Sequence, residues 1–219
     1  HYDAVGGMAA ALDQHADEAL AQLQPGRQQA LCESLFRAIT DRGTDARGTR
    51  RPTRMDTLRA ITGAGIDALA AVMAPFRDPE RAFLMPPHGV PLGPDTVVDI
   101  SHESLMRVWG ALRGWVDEEA ESARIYRRLA ETAELHRAGQ AVLLVQPELQ
   151  LVTAWVERQQ PNAAWAERYR PGFDAAMQLP SSSRRICMSI VGPMQTRAAC
   201  PSGSLNAFSG EFDGAVTSQ

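Results

Sequence analysis

Apolar positions recur at helical spacing over most of the chain, and breaks in that spacing mark its elements. Residues 8–23 form an Ala-rich run that reads as a helix. Pro25-Gly26 ends it, through the proline ring and the backbone freedom of glycine. Leu31, Leu35 and Ile39 stand at i, i+4 and i+8, which predicts a second helix over about 28–41, followed by a loop over Gly43 to Arg51. Thr53 with Asp56 three residues on has the form of a capping box, and Met55, Leu58 and Ile61 give the next short helix a buried side. Gly63 and Gly65 end it. Ile66, Leu69, Val72, Met73 and Phe76 then predict a helix that stops at Asp78-Pro79.

The period changes after that. Ala82 to Met85 and Thr96 to Ile100 have strand content and are separated by the Pro- and Gly-rich stretch 86–94, which only a loop accommodates. Three helices and a hairpin with a long tip are the layout of a winged helix. Beyond Ser101 helix returns. Leu105, Val108, Trp109, Leu112, Trp115 and Val116 form one broad apolar face, extended by Tyr126, Leu129 and Ala133 toward Gly139. Glu121 with Arg124, and Arg127 with Glu131, sit opposite as a solvated face, and Asp117-Glu118-Glu119 reads as surface rather than as a catalytic acid cluster. Pro147 starts a helix carrying Leu149, Val152, Trp155 and Val156. Asn162 caps a last one with Trp165, broken at Pro171-Gly172.

Composition changes at Pro180. From there to Gln219 stand eight serines, four glycines and three prolines, with only Glu211 and Asp213 acidic, so the segment reads as a poorly ordered tail. A short strand pair around Ile186 to Val191 is the other reading. The expected fold is mainly α. Its parts are a connecting helix over 1–26, a winged helix over 27–101, a helical segment over 102–179 and the tail over 180–219.

Hydrophobic residues at 44% and charged residues at 22% exclude collagen-like, wholly disordered and membrane-spanning classes. All 22 basic residues are arginine, and the formal net charge is -4, which weighs against nucleic acid as main partner. Arg47, Arg50, Arg51 and Arg54 are the only basic cluster. The helix at 66–76 offers only Asp67 among charged residues, so DNA readout is not expected, and the cluster reads as a solvated loop or an interdomain contact. Cys32, Cys187 and Cys200 show no CxxC spacing, and no apolar leader opens the chain, so a cytoplasmic location is expected. Cys32 lies beside the Leu31 stripe as packing, and the tryptophans at 109, 115, 155 and 165 read as core. Because the chain begins at His1 rather than methionine, it is expected to be a piece of a longer protein.

No self-contained active site is visible. A phosphate-binding GxxxxGK[ST] loop needs a lysine the sequence lacks, and neither HExxH nor GxSxG occurs. His102 is the residue to weigh. Ser101, directly after the second strand, is a candidate N-cap, which puts the imidazole in the first turn of a helix where it could meet a phosphate. The other reading has His102 hydrogen-bonding within the joint between hairpin and helix.

Several segments carry a family resemblance: His1-Tyr2-Asp3-Ala4-Val5-Gly6-Gly7 with Ala11-Leu12 and His15-Ala16; Arg50-Arg51-Pro52-Thr53-Arg54; Ile100 through Trp109; and Ala120 to Leu129. They resemble bacterial novel STAND-type NTPases, signal-transduction ATPases often followed by WD-repeat propellers. The resemblance covers about residues 1–179, and implies the winged-helix and helical region downstream of a P-loop core. It further implies that the parent protein binds ATP or ADP with Mg, and that this piece has no catalysis of its own. Its partner would be its own NTPase core. Switches of this kind carry a Met-His-Asp motif whose histidine contacts the nucleotide phosphate. The matching positions are Ser101, His102 and Glu103, so the resemblance makes His102 the cofactor-binding residue. The other function classes are a stand-alone helical adaptor for protein partners and, below it, a winged-helix DNA-binding regulator.

Overall fold

The computed structural model describes residues 2–42 and 48–190, with side chains over 7–42 and 48–185. The molecule is mainly helical with small antiparallel sheets. α1 (Tyr2–Ala21) and α2 (Arg27–Ala38) come first, and then a two-stranded ladder of β1 (Thr40–Asp41) and β2 (Thr49–Arg50). The expected second helix therefore stops at Ala38, and the expected loop ends in a strand. Next come β3 (Thr53–Arg54), α3 (Met55–Thr62), α4 (Ile66–Arg77), β4 (Leu84–Met85) and β5 (Val97–Ile100). β5 lies between β3 and β4, antiparallel to both, with Thr53 opposite Val98 and Leu84 opposite Ile100.

Thr53 does not cap α3. Its hydroxyl donates to the Ala38 and Arg51 carbonyls, and Arg54, in extended backbone, holds the cap position. Gly63 ends α3 as its spacing predicts, in the left-handed region at φ 69° where a side chain would be strained, with its N–H on the Arg59 carbonyl.

After the sheet the chain enters α5 (Glu103–Val108) and the long α6 (Gly110–Arg137). The continuous apolar face predicts one helix, yet the structure breaks it at Trp109. α7 (Glu148–Gln159), α8 (Ala163–Glu167) and α9 (Phe173–Ile190) follow. As expected, the Asn162 side chain accepts the Trp165 N–H to cap α8. α9 corrects the expected tail: it runs through Pro180, and a strand pair beginning at Ile186 is replaced by helix. The proline ring removes one donor. Ala176, Leu179 and Ser183 are nonetheless buried, and Ser183 Oγ donates to the Leu179 carbonyl and accepts the Leu144 N–H, so packing overrides the Ser-rich composition. The rest of the tail, with Cys200, lies outside the described residues.

Two hydrophobic cores result. The first joins α1 to α5, the three-stranded sheet and the start of α6 around Phe36, Phe76, Trp109 and Trp115, whose rings meet at 5.0–6.1 Å between centroids. The second joins α6 to α7, α8 and α9 around Tyr126, Leu129, Trp155 and Ala176. α6 supplies both, with Leu112 and Val116 in one and Tyr126, Leu129 and Ala133 in the other. Among the described residues no single helix is long and apolar enough to cross a membrane.

Candidate functional site

Where the sheet hands over to α5, the backbone is pinned from both sides. The Ser101 N–H donates to the Phe83 carbonyl at 3.0 Å and its hydroxyl to the Ala82 carbonyl. Ser101 is thus spent on the hairpin, and the cap position passes to His102, whose backbone is extended at φ −132° and ψ 122°. The imidazole is not within a first turn but just outside it. It is exposed, and it makes no hydrogen bond or ion pair with any described residue. Glu103 beside it is turned along the helix to Arg107 at 3.6 Å, and Arg50 reaches over to the Ile100 carbonyl and Asp99.

α5 is aimed by α1. The single-residue break at Trp109 leaves the first N–H groups of α6 without helical partners. Asp13 of α1 accepts the Gly110 N–H at 2.8 Å, and Asp17, one turn on, accepts the Trp109 indole N–H at 2.7 Å. A carboxylate on that helix start also opposes the positive end of the α6 dipole. The α5–α6 joint, at the opposite end of α5 from His102, is therefore set by two acids roughly ninety positions earlier in the chain, and its sequence signal, Asp13-x-x-x-Asp17 on one helix face, is too common to identify.

The second polar centre joins the two cores. Glu119 is buried at 7% exposure and accepts from Tyr169 Oη at 2.6 Å, Trp165 Nε1 at 2.8 Å and Arg168 at 3.4 Å. The expectation that 117–119 is all surface holds for Asp117 and Glu118 and fails for Glu119. That residue stands three after Val116 and four before Ala123, on the buried seam of α6. Arg168 also donates to the Arg37 and Ala38 carbonyls at the end of α2, and the Asn162 amide donates to the Ala60 and Ile61 carbonyls at the end of α3. Two side chains of the second unit thus cap two helices of the first. The arginine cluster at 47–54 disperses over the same region. Arg51 reaches the Arg168 carbonyl, Arg54 pairs with Asp95, and Arg47 lies outside the described residues.

Burial, and then the Glu119 carboxylate, push the Tyr169 hydroxyl well above the ordinary tyrosine value of 10.0, and burial with Glu167 raises Tyr126. A folded-state value above the unfolded one contributes stability that is complete below about pH 10 and is lost as pH rises through the folded value. Ultraviolet phenolate titration of the native chain should therefore lag behind that of the urea-unfolded chain. Coincident curves would contradict the burial of both rings.

Cys32 is 1% exposed, and burial followed by Glu33 raises its thiol far out of the reactive range. Arg77, the basic residue of α4, is buried and clamps the Pro86, Pro87 and Val90 carbonyls of the hairpin tip, each at 2.7 Å. No group of three or more His, Cys, Asp or Glu side chains among the described residues is placed to hold a metal ion.

A family model described as Novel STAND NTPase 1 matches residues 1–141. No curated protein and no solved structure matches the chain.

Proposed function

The chain belongs to the novel STAND NTPase 1 family, and from that premise we propose that it is the regulatory winged-helix and helical portion of a cytoplasmic signalling NTPase, without catalysis of its own. The order α2, β3, α3, α4, β4, β5, with the last strand in the middle of the sheet, supports the winged-helix reading of this region. The observation that carries the function is His102, exposed, unpartnered among the described residues, and seated in extended backbone at the exit of that sheet.

Such a ring is free to donate to an anion held by another module. A bound ATP or ADP on the NTPase core of the parent would supply that anion as a phosphate oxygen. His102 fits as one contact to it, while the ligands for Mg and the lysine of a phosphate loop have to come from the core. What this chain does is fix the backbone on either side of the ring: Ser101 ties the hairpin exit, the Arg77 clamp ties the hairpin tip, and Asp13 and Asp17 tie the far end of α5. A closed, nucleotide-bound state is then favoured by whatever contact energy is lost on opening.

Coupling of this kind is typically about 1–3 kcal/mol, or about 5–150-fold in an equilibrium constant. His102→Ala in the full-length parent is expected to speed nucleotide release by a factor in that range, read with a fluorescent ADP analogue. Unchanged release would remove the histidine from the mechanism.

A further inference from the structure

The two hydrophobic cores are separate clusters, and the chain passes from one to the other once, along α6. Val116 is the last α6 side chain in the first core and Ile125 the first in the second, and between them α6 adds none to either. Glu119 lies in that stretch but belongs with the second unit, because its partners Trp165, Arg168 and Tyr169 come from α8 and the turn after it. What crosses the seam is a short set of hydrogen bonds to backbone. The Asn162 amide donates to the Ala60 and Ile61 carbonyls at 3.2 and 2.8 Å, and Arg168 to the Arg37 and Ala38 carbonyls at 3.3 and 3.0 Å. Arg51 returns one to the Arg168 carbonyl at 3.2 Å. Arg37–Glu118 and Arg42–Asp117 flank them, with both carboxylates exposed, and such pairs hold little.

The closed seam is also incomplete. A cavity of about 100 Å³ is lined by Arg37 and Ile61 of the first unit and by Pro161, Asn162 and Trp165 of the second. The Arg37 Nε is buried there with no acceptor among the described residues. A close-packed interior leaves neither the void nor the orphaned donor, so opening relieves a cost that closing imposes. The carbonyls that Asn162 and Arg168 hold are in the last turns of α3 and α2, where water replaces a side-chain donor readily. Units joined by a polar contact of this kind move against each other, whereas a large apolar contact would lock them.

We infer that this seam is a latch. On release, α7, α8 and α9 swing with the second half of α6 away from the ends of α2 and α3, both cores stay folded, and α6 bends between Val116 and Ile125. Asn162 is the catch: its side-chain oxygen caps α8 by accepting the Trp165 N–H, while its nitrogen holds the end of α3. The latch passes a change in one unit to the other and does not depend on any contact of His102.

Asn162→Asp separates the two roles of the catch. It keeps an oxygen for the α8 cap, deletes the donor to α3, and sets a carboxylate against the carbonyl end of that helix. The measurement is a spin-label distance by double electron–electron resonance, in the full chain, between Thr57→Cys on α3 and Arg158→Cys on α7, both exposed positions. Cys187→Ser and Cys200→Ser remove competing thiols, and Cys32, 1% exposed, stays unlabelled. Two populations are expected, one at the distance of the structure and one displaced from it. Asn162→Asp should raise the displaced share relative to the other about tenfold, the effect of roughly one net hydrogen bond. Arg51→Gln, which cuts a separate tie across the seam, should act in the same direction. Arg124→Gln, which cuts an exposed pair within α6 alone, should leave the ratio where it was. A single distance that neither Asn162→Asp nor Arg51→Gln moves overturns the latch. So does a distance that changes only together with loss of helical circular dichroism, because the two units would then unfold as one, or an Arg124→Gln effect as large as that of Asn162→Asp.

Discussion

Glu119→Ala is expected to lower the free energy of unfolding by about 3–5 kcal/mol, the range for breaking one half of a buried ion pair. The loss is not the Coulomb attraction alone. Arg168, whose side chain is 7% exposed, would keep its charge without its carboxylate, and the Trp165 indole and Tyr169 hydroxyl would lose their acceptor together. The exposed pair Glu121–Arg124 makes the comparison. It has contacts at 2.6 and 2.9 Å, shorter than the 3.4 Å between Arg168 and Glu119, yet its removal should cost far less because water already solvates both ends. Burial, not distance, decides which acid matters. Glu119→Gln keeps an acceptor for the indole and hydroxyl and should fall between the two. Arg168→Met on top of Glu119→Ala should recover part of the loss. Recovery stays incomplete because the Arg37 carbonyl at the end of α2 loses a donor, whereas the Ala38 carbonyl keeps the Thr53 hydroxyl. Urea unfolding of the variants checks this series. A Glu119→Ala cost no larger than that of Glu121→Ala would refute the role given to the buried acid.

Local signals in the sequence were sufficient where no distant group competed for the side chain; the expected Thr53 and Ser101 caps failed because the Ala38 and Ala82 carbonyls take those hydroxyls. The i, i+4, i+8 stripe of α2, the glycine stop of α3, the Asn162 cap and the hairpin between two short strands all depend on residues a few positions apart, and each is present. The misreadings share a different cause. Trp109 continues the apolar period of its neighbours, so nothing nearby announces a break there; what makes it tolerable is Asp13 of α1 arriving to satisfy the exposed Gly110 N–H. Glu119 stands in a run of three acids that reads as surface. Its period is that of the buried seam, though, and its partners Trp165, Arg168 and Tyr169 come from α8 and the turn that follows it. Pro180 and the serines after it have the composition of a tail, while Leu179 and Ser183 have the spacing of a helix face. In each case a pattern was visible but a local rule outweighed it until a distant partner was known. The candidate site divides the same way. The position of His102, just after a strand, is legible in the sequence, whereas the acids that tie the far end of α5 are legible only in three dimensions.

Trp109→Ala should cost about 3–5 kcal/mol, the usual price of emptying a buried aromatic site, and it is expected to do more than leave a hole. The ring is fully buried against Phe36, Phe76 and Trp115, with centroids 5.2, 5.6 and 5.1 Å away, so the first core loses its centre. The indole N–H is also the tie from the α5–α6 joint to Asp17, and the two contributions can be separated. Trp109→Phe retains most of the apolar contact and deletes the donor, and Asp17→Asn retains an acceptor and deletes its charge. Because a hydrogen bond to a charged group is worth about 1.5–3 kcal/mol, Trp109→Phe should show a loss in that range and Asp17→Asn a smaller one. If the joint sets the aim of α5, Trp109→Phe in the full-length parent should speed nucleotide release in the same direction as His102→Ala, and by less, because the imidazole is displaced rather than removed. A double variant should then fall short of the product of the two effects, since a residue already lost cannot be misaimed. Independent, multiplicative effects would mean that α1 stabilises the fold without positioning the histidine.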